Sequence, residues 1–336
     1  MSAPPEKLVG IVTPVYNGEK YLRQCIESVL SQTHQNWRYS IVNNCSTDGS
    51  LAIAQHYARL DPRVTVYDPP EFLPVSASMS RAMSLVAPDA LYCKPLMADD
   101  WLYPECIEKM VQCAASDPAI GLVCAHAFNG SIVLFDSIQG TGGVASFSPG
   151  RTVCRTALLE DVYFFGSPTT TLIRTDLVRA RTPFFNPINL HSDEESCYDV
   201  LQESDFCFIH QILAFIRSHS ESQTSLVRGL ESIFVGRVYS LMKYGPVFLS
   251  KEEFAQRRQQ RFKEYYALLA DAALHFAPGE FWKYHRAKLA LLGAPLEPVR
   301  LARAIARQVA KRLLTPLSLI QSGTMRHPYP FRARRS

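Results

Sequence analysis

Two adjacent carboxylates, Asp99 and Asp100, are the residues of this 336-residue chain whose position most directly indicates chemistry. They follow an apolar run at residues 90–93 that is typical of a buried strand. Open α/β sheets bind their ligands at the carboxyl ends of the strands. Paired carboxylates at such a place need a compensating cation or a hydrogen-bonding ligand. Because they offer only oxygen ligands, the expected cation is Mg²⁺ or Mn²⁺, shared with a diphosphate.

A second interpretation of the same pair is purely structural. A helical pattern begins at Pro104, directly after the carboxylates. Asp is common at helix N-termini, where its side chain accepts a hydrogen bond from a free backbone N–H. The pair by itself leaves helix capping and metal binding open, so the surrounding elements have to decide between them.

Short apolar runs alternate with amphipathic segments through the first third of the chain. The pattern predicts strands at residues 8–13, 38–42, 64–67 and 91–94, and helices at 19–31, 51–58, 76–86 and 104–116. This alternation is typical of a Rossmann-like α/β fold, with a parallel or mostly parallel sheet flanked by helices. Right-handed crossovers bring the loops that follow the strands to one edge of the sheet. Residues 13–17, 43–48 and 99–100 should therefore converge.

Several common nucleotide-binding and catalytic motifs are absent from these loops. The first strand is followed by no Gly-x-Gly-x-x-Gly, and the chain has no P-loop and no Gly-x-Ser-x-Gly elbow. The first loop instead offers a proline, an aromatic ring and an asparagine, Pro14, Tyr16 and Asn17. Such residues suit a stacked base and a ribose better than a bare diphosphate.

Four segments taken in order resemble the successive motifs of the family 2 glycosyltransferases. They are Val12-Thr-Pro-Val-Tyr-Asn-Gly-Glu19, Ser28-Val-Leu-Ser-Gln-Thr33, Ile41-Val-Asn-Asn-Cys-Ser-Thr-Asp-Gly49 and Asp99-Asp-Trp-Leu-Tyr-Pro104. The resemblance covers residues 8–225. It implies a GT-A fold and an inverting enzyme that uses a nucleotide-sugar donor, and it says little about which sugar is transferred.

The resemblance also implies roles for the first two loops. Residues of the first loop would line the nucleotide pocket: Thr13, Pro14, Tyr16 and Glu19. The family usually has two aspartates in the second motif, of which the second contacts the base, whereas this chain has Asn43 and Asn44. Asparagine brings an NH₂ donor and no charge. We expect a UDP-sugar as the donor, and the two asparagines leave the nucleotide open.

At the diphosphate end, the resemblance implies that Asp100 binds the divalent cation and that Asp99 approaches the ribose or the metal. Arg217-Ser-His219 resembles the family's Arg-x-His segment, so Arg217 would contact the donor. His219 would complete the metal shell or contact a phosphate, unless it is a structural histidine. Lys94 is either an ordinary solvated lysine at a strand end or a phosphate contact.

Inverting sugar transfer needs a carboxylate that takes the proton of the acceptor hydroxyl. The family supplies it from an acidic pair that opens a helix, and two places compete for this role, Asp193 and Asp205. We favour Asp193, with Asp205 as the alternative. The acidic cluster at residues 193–195 could instead complement a helix dipole. The polar segment at 220–225 is predicted to be a mobile loop over the donor.

The character of the chain changes after the proposed GT-A domain, residues 1–225. Residues 226–336 are predicted to form an all-helical extension, with helices at 226–244, 252–276, 281–292 and 299–314 and a disordered tail at 331–336. From residue 297 onward there are nine Lys/Arg and one acidic residue, a net charge of +8. The basic amphipathic helix at 299–314 could rest on an anionic membrane or dock on its own domain.

Composition limits the remaining classes. The basic residues are concentrated in the tail, which argues against nucleic-acid binding by the main domain. The nine cysteines include no Cys-x-x-Cys pair, which predicts reduced thiols in a cytoplasmic protein. We expect no signal peptide at the N-terminus, and no apolar run is long enough to predict a membrane-spanning helix. We expect a sugar or lipid-linked acceptor in cell-surface polysaccharide or glycolipid assembly. A non-catalytic scaffold that binds nucleotide sugars is the alternative.

Overall fold

The structure is a computed structural model that describes residues 7–130, 132–134, 145–218 and 230–314. The chain divides into two compact units, Met1–Ser225 and Leu226–Ser336. The first unit contains a central sheet with helices, and the second consists of helices.

The first half of unit 1 alternates strands and helices as the sequence predicts. Its elements are β1 (Val9–Val15), α1 (Glu19–Leu30), β2 (Trp37–Asn43), α2 (Ser50–Leu60), β3 (Val64–Tyr67), α3 (Val75–Ser84) and β4 (Tyr92–Pro95). β1 pairs with β2 and β4, and β2 pairs with β3, all in parallel. The loops after these four strands therefore leave the same edge of the sheet.

The second half of unit 1 completes a mixed sheet. Its elements are β5 (Trp101–Leu102), α4 (Cys106–Ala115), β6 (Ile120–Asn129), β7 (Ile132–Leu134), β8 (Ala145–Ser148), α5 (Gly150–Glu160), a 3-10 turn (Pro168–Thr170), β9 (Thr171–Arg174), α6 (Thr175–Arg179), α7 (Ser192–Val200) and β10 (Asp205–Phe215). The strand order is β3-β2-β1-β4-β9-β6-β10-β5. β9 runs antiparallel to β4 and β6, so the predicted parallel arrangement holds for β1–β4 and gives way to mixed directions beyond them.

Amphipathic spacing explains how the helices attach to the sheet. In α1 the side chains at Leu22, Cys25, Ile26 and Val29 are fully buried, and they recur at the spacing of one helical face. They join Trp37 and the apolar residues of β1 and β2 in one core. Burial of such a side chain stabilises the fold by roughly 1.5–3 kcal/mol relative to exposure.

The prediction of nine reduced cysteines is wrong at one pair. Cys113 of α4 and Cys207 of β10 form a disulfide across 94 residues, and the remaining seven thiols are free. The sequence could not reveal this pair, because the two residues meet only when α4 packs on β10. The cysteines therefore no longer support a reducing compartment.

Unit 2 is built from α8 (Ser232–Phe248), α9 (Lys251–Leu274), α10 (Gly279–Leu291) and α11 (Pro298–Leu314). Ser250 and Glu253 form a capping box at the start of α9, which satisfies two backbone N–H groups. Apolar side chains of α8, α9 and α10 form a separate core. The predicted tail at 331–336 lies outside the described residues. Within the described ranges, no helix is both long and apolar enough to cross a membrane.

Candidate active site

The candidate site lies at the carboxyl ends of the four parallel strands. The loop after β1 contacts the loop after β2 through backbone hydrogen bonds to side chains. Asn17 Oδ1 accepts from the N–H of Thr47 at 2.8 Å, and the carboxylate of Glu19 accepts from the N–H of Gly49 at 2.9 Å. The exposed side chain of Glu19 thus connects the two loops, and its place in the nucleotide pocket stays a prediction.

Thr13 is also used inside the protein. Its side chain is fully buried, and its hydroxyl lies 2.8 Å from the phenol oxygen of Tyr39. The side chain therefore faces the core, because Thr13 is still within β1, and the predicted place of this residue in the nucleotide pocket stays a prediction. Pro14 is half-buried in the same strand.

Exposed aromatic surface does occur at this edge. Tyr16 is 53% exposed and packs edge-on against Phe72, which is equally exposed, with ring centroids 5.0 Å apart. Two large aromatic rings with this much exposed surface, on the loops after β1 and β3, offer a face on which a planar ring can stack. Tyr16 was predicted as a nucleotide contact, whereas Phe72 was not.

Asn44 has a structural role. Its Nδ2 donates to the carbonyl of Leu73 at 2.8 Å, and its Oδ1 accepts from the N–H of Leu73 at 2.9 Å. Both ends of the buried amide are thus occupied by the backbone of the segment that follows β3. An aspartate could not donate here, which is a physical reason for asparagine at this position.

Asn43 uses its amide differently. Its Oδ1 accepts from the N–H of Ser46 at 3.2 Å, and its Nδ2 donates to Asp68 Oδ1 at 2.7 Å. Asn43 is buried, whereas Asp68 is exposed at the end of β3. Asp68 was not among the predicted site residues, although its place directly after a predicted strand was a usable signal.

Asp100 is buried and hydrogen-bonded through both carboxylate oxygens. Oδ2 accepts from the hydroxyl of Thr169 at 2.5 Å, and Oδ1 accepts from the backbone N–H of Arg217 at 2.9 Å. Burial, and then the neighbouring charge of Asp99, raise the pKa of Asp100 to about 7. Neither hydrogen bond comes from the N-terminus of α4, which begins at Cys106, so helix capping does not account for Asp100.

The two carboxylates differ in their accessibility. Asp100, predicted to bind the cation, is almost fully buried, whereas Asp99 is partly exposed. The pair is held in place by Arg217, whose Nε donates to the backbone carbonyl of Asp99 at 2.9 Å. The guanidinium also lies over the rings of Tyr21 and Trp101. The end of β10 is thereby attached to the loop after β4.

Lys94 is neither solvated nor directed towards a phosphate, so both expectations for it are wrong. The side chain is fully buried, and Nζ donates to the carbonyls of Thr169, of Thr171 at 3.0 Å and of Pro95 at 3.3 Å. Burial lowers the pKa of Lys94. Lys94 thus positions the turn that presents the Thr169 hydroxyl to Asp100. Thr169 lies within the 3-10 turn at Pro168–Thr170 and was not among the predicted site residues.

The two candidate bases lie in different places. Asp193 is a half-buried residue in the first turn of α7. The residue before it, Ser192, is hydrogen-bonded to Ser76 in the first turn of α3, and α3 begins on the carboxyl side of the sheet. Burial raises the pKa of Asp193, while His191 and the N–H of Glu194 oppose the shift.

Asp205 is the first residue of β10, where it pairs with Ile120 and accepts from the N–H of Gly150 at 3.1 Å. Arg217, which contacts Asp100, lies beyond the other end of this 11-residue strand. A strand rises about 3.3 Å per residue, so Asp205 is about 30 Å from the Asp99–Asp100 loop. It lies at the opposite edge of the sheet and does not belong to the site.

The predicted metal shell can be assessed only in part. His219 and the predicted loop at 220–225 lie outside the described residues. Within the parts of the chain that the structure describes, no three side chains of His, Cys, Asp or Glu are grouped as a metal site. A cation at this edge would therefore have to complete its oxygen shell with ligands from a substrate and from water.

Comparison with known proteins identifies the class of this fold. The chain is similar to S. aureus TarS (residues 1–349) in its complex with UDP-GlcNAc, with a TM-score of 0.63, 14% identity and coverage of 90% of this chain and 88% of that one. It is also similar to the mannosyltransferase PcManGT from Pyrobaculum calidifontis in complex with GDP-Man and Mn²⁺, with a TM-score of 0.51, 14% identity and coverage of 94% and 82%. The fold is that of the GT-A glycosyltransferases.

The family follows from the sequence match. The model of Glycosyl transferase family 2 matches residues 10–181, about half of the chain, and the chain belongs to this family. TuaG of Bacillus subtilis (strain 168), whose name links it to teichuronic acid biosynthesis, is 32% identical over 123 residues, which are 37% of this chain and 46% of TuaG. The chain spans less than half the length of the curated relatives that it matches first.

Proposed function

We propose that the protein is an inverting glycosyltransferase that moves a sugar from a nucleotide diphosphate to a hydroxyl acceptor. The observation that carries this proposal is the position of Asp193. Its carboxylate is half-buried, has a raised pKa and opens a helix whose first turn contacts the first turn of α3 on the ligand-binding side of the sheet. A general base needs this combination of accessibility and a pKa shifted towards the working pH.

The reaction step is a single displacement. The acceptor hydroxyl gives its proton to a carboxylate oxygen of Asp193, and its oxygen forms a bond to the anomeric carbon of the donor sugar. The bond from that carbon to the diphosphate oxygen breaks, and the leaving nucleoside diphosphate takes the electron pair. Attack from the face opposite the leaving group inverts the configuration of the anomeric carbon.

The residues at the diphosphate end fit a divalent cation through Asp99. Its carboxylate is a hard oxygen donor in a partly exposed position, whereas Asp100 is almost fully buried. Burial and then the charge of Asp99 raise the pKa of Asp100, and a cation at this place would offset the second of these effects. When bound, Mg²⁺ or Mn²⁺ neutralises charge that develops on the leaving diphosphate. Asp100 and Arg217 would then hold the loop that carries Asp99.

The role in the cell is proposed from the relatives. TuaG's name links it to teichuronic acid biosynthesis, and TarS was crystallised with UDP-GlcNAc. These names support a UDP-sugar donor and a sugar or lipid-linked acceptor in cell-surface polysaccharide or glycolipid assembly. Asn43 and Asn44 replace two aspartates that the family usually has, which could indicate a non-catalytic scaffold. Both amides have structural partners, Asp68 and Leu73, so the replacement does not support that alternative.

The experiment that tests this proposal follows the sugar itself. We expect the purified chain, given Mn²⁺ and a panel of UDP-, GDP- and dTDP-sugars with hydroxyl acceptors, to form a glycoside whose anomeric configuration is opposite to that of the donor. Proton NMR of the product reads that configuration. A retained configuration would contradict the proposed displacement, and nucleotide-sugar binding without any turnover would favour the scaffold.

We further propose peripheral membrane contact through α11, which would keep the protein at the inner face of a membrane. One face of this helix packs on α9, where Leu301 and Ala304 reach the helical core and Arg312 binds Asp271 at 2.8 Å. A second face exposes Val299, Val309 and Leu313. Between them on the helix lie basic residues, with Arg303 and Arg307 exposed. An apolar strip beside a basic strip is complementary to an anionic bilayer.

Vesicle co-sedimentation tests this contact with the full chain. We expect binding to phosphatidylcholine vesicles that contain phosphatidylglycerol, and weaker binding after Arg303→Glu combined with Arg307→Glu. Vesicles of phosphatidylcholine alone serve as the control for charge. Equal sedimentation of the wild type and the double variant with anionic vesicles would remove the proposal for α11.

A further inference from the structure

The carboxyl ends of β2 and β3 carry a hydrogen-bonded pair that neither the motifs nor the reaction step explains. Asn43 Nδ2 donates to Asp68 Oδ1 at 2.7 Å, and Asn43 Oδ1 is fixed by the N–H of Ser46. Because the amide is anchored at one end and buried, it holds the carboxylate of Asp68 in one orientation. Asp68 itself is exposed. A polar group positioned this firmly at the ligand-binding edge of a sheet is a candidate recognition group.

The second carboxylate oxygen remains available. Within the described chain, Asp68 Oδ2 accepts no hydrogen bond, and no lysine or arginine forms an ion pair with Asp68. The pair thus presents the exposed carboxylate of Asp68 as an acceptor, oriented by the buried amide of Asn43.

Aromatic surface lies at the same edge. Tyr16 follows β1, the strand next to β2, and Phe72 follows β3. Asn44 fixes the segment that carries Phe72 through its two hydrogen bonds to Leu73. A planar heterocycle that stacks on this exposed aromatic pair would have its edge next to the side chains of Asn43 and Asp68. Base stacking on aromatic side chains contributes about 1–3 kcal/mol per base in proteins that use it.

We infer that Asp68 reads the edge of the donor nucleobase by accepting a hydrogen bond from a ring N–H, with Asn43 as the residue that orients it. This inference rests on the proposed function. A carboxylate forms a strong, charge-assisted hydrogen bond with an N–H donor. The ring N–H groups of uracil and guanine are more acidic than exocyclic amino groups, whereas the corresponding ring nitrogens of cytosine and adenine carry no hydrogen. Uridine or guanosine diphosphate is therefore favoured over cytidine or adenosine diphosphate.

Asparagine at position 43 follows from the same arrangement. An aspartate there would place a second carboxylate 2.7 Å from that of Asp68, and adjacent like charges raise each other's pKa and repel. Asparagine removes the repulsion and supplies the donor. The single carboxylate proposed to face the nucleobase is therefore Asp68, directly after β3, and not a residue of β2.

Binding calorimetry with Mn²⁺ present tests the assignment. UDP, GDP, CDP and ADP are compared first, and the tighter binder of UDP and GDP is then paired with its ring-methylated analogue, 3-methyl-UDP or 1-methyl-GDP. We expect the wild type to bind the unmethylated nucleotide at least about tenfold more tightly, which corresponds to roughly 1.4 kcal/mol. In Asp68→Ala that preference should fall to less than about threefold. Asp89→Asn removes a carboxylate before the amino end of β4 and should keep the wild-type preference.

The outcomes separate the two claims. If Asp68→Ala still prefers the unmethylated nucleotide tenfold, or if CDP or ADP binds the wild type most tightly, the assignment of Asp68 is wrong while the proposed function stands. If the wild type binds none of the four nucleotides, both claims fall together. Because Asp68 is exposed, its truncation is not expected to unfold the chain, and a thermal melt of the variant verifies this.

Discussion

The two ends of the candidate site are built on opposite principles. At the end where the nucleobase is proposed to bind (the base end), the loops after β1, β2 and β3 bind one another through side-chain amides and Glu19. Two side chains at this end, Tyr16 and Asp68, are exposed. At the end that carries Asp100 (the reaction end), charged groups are buried, and Lys94 and Asp100 are connected through Thr169. We infer that the base end is organised for binding, whereas the burial of charged groups at the reaction end lowers the stability of the fold.

Substitutions at the two ends should therefore change different measured quantities. Changes at the reaction end should lower turnover or the free energy of unfolding, and changes at the base end should lower donor affinity.

The largest effect is expected for Asp193→Asn. The amide cannot accept the proton of the acceptor hydroxyl, so kcat should fall on the order of 10²- to 10⁴-fold while the donor Kd is unchanged. Steady-state kinetics and donor titration together measure this split. Asp205→Asn is the matched control, because it removes a carboxylate at the far edge of the sheet and should leave kcat unaltered. Equal losses in the two variants would contradict the choice of base.

The pH dependence follows from the raised pKa of Asp193. Only the deprotonated base is active, so kcat/KM should decline as pH falls through a pKa above the ordinary aspartate value.

The raised pKa of Asp193 has the opposite effect on stability, which should be greater at low pH. A carboxyl group whose pKa is higher in the folded state than in the unfolded state stabilises the fold at low pH and loses that contribution as pH rises. Asp193→Asn should therefore melt no lower than the wild type at pH 8.

A smaller effect is expected for Thr169→Val. The substitution keeps the shape and removes the hydroxyl that donates to Asp100 and accepts from the N–H of Met97. A buried acceptor left without its donor costs about 1–3 kcal/mol of the free energy of unfolding. Urea unfolding followed by Trp fluorescence measures this loss. Thr169→Ser retains the hydroxyl and should recover most of it, whereas equal losses in both variants would mean that the hydroxyl is not responsible.

The smallest effect belongs to the base end, in Asn44→Asp. The new carboxylate oxygen would face the Leu73 carbonyl and cannot donate to it, so the segment that carries Phe72 loses one hydrogen bond. A hydrogen bond of this kind contributes about 1 kcal/mol, so the donor KM should rise about fivefold with kcat unchanged. A fall in kcat with no change in KM would remove the proposed division between the two ends.

Much of the fold could be predicted because its signals are local. The apolar runs that became β1–β4 and the spacing that became α1 and α4 each depend on a few neighbouring residues. The mixed direction of the second half of the sheet could not be read from the sequence, because β9 is inserted between β4 and β6 from far along the chain. The Cys113–Cys207 disulfide joins distant segments in the same way.

The site shows the same limit at the level of side chains. The motifs identified which loops matter, and they could not tell that the side chains of Thr13 and Asn44 turn towards the protein. The direction of a side chain depends on what lies opposite it, as the Leu73 backbone lies opposite Asn44. For the same reason, the adjacent residues Asp99 and Asp100 could not be separated into an accessible and a buried carboxylate.

The most direct test of the central claim is hydrolysis of nucleotide sugars by the purified chain without acceptor, measured with Mn²⁺ and with EDTA. We expect slow release of nucleoside diphosphate from one UDP- or GDP-sugar with Mn²⁺. EDTA should abolish this release, and Asp99→Asn should lower it strongly. Release that continues undiminished in EDTA and in Asp99→Asn would contradict a reaction centred on the Asp99 carboxylate and a divalent cation.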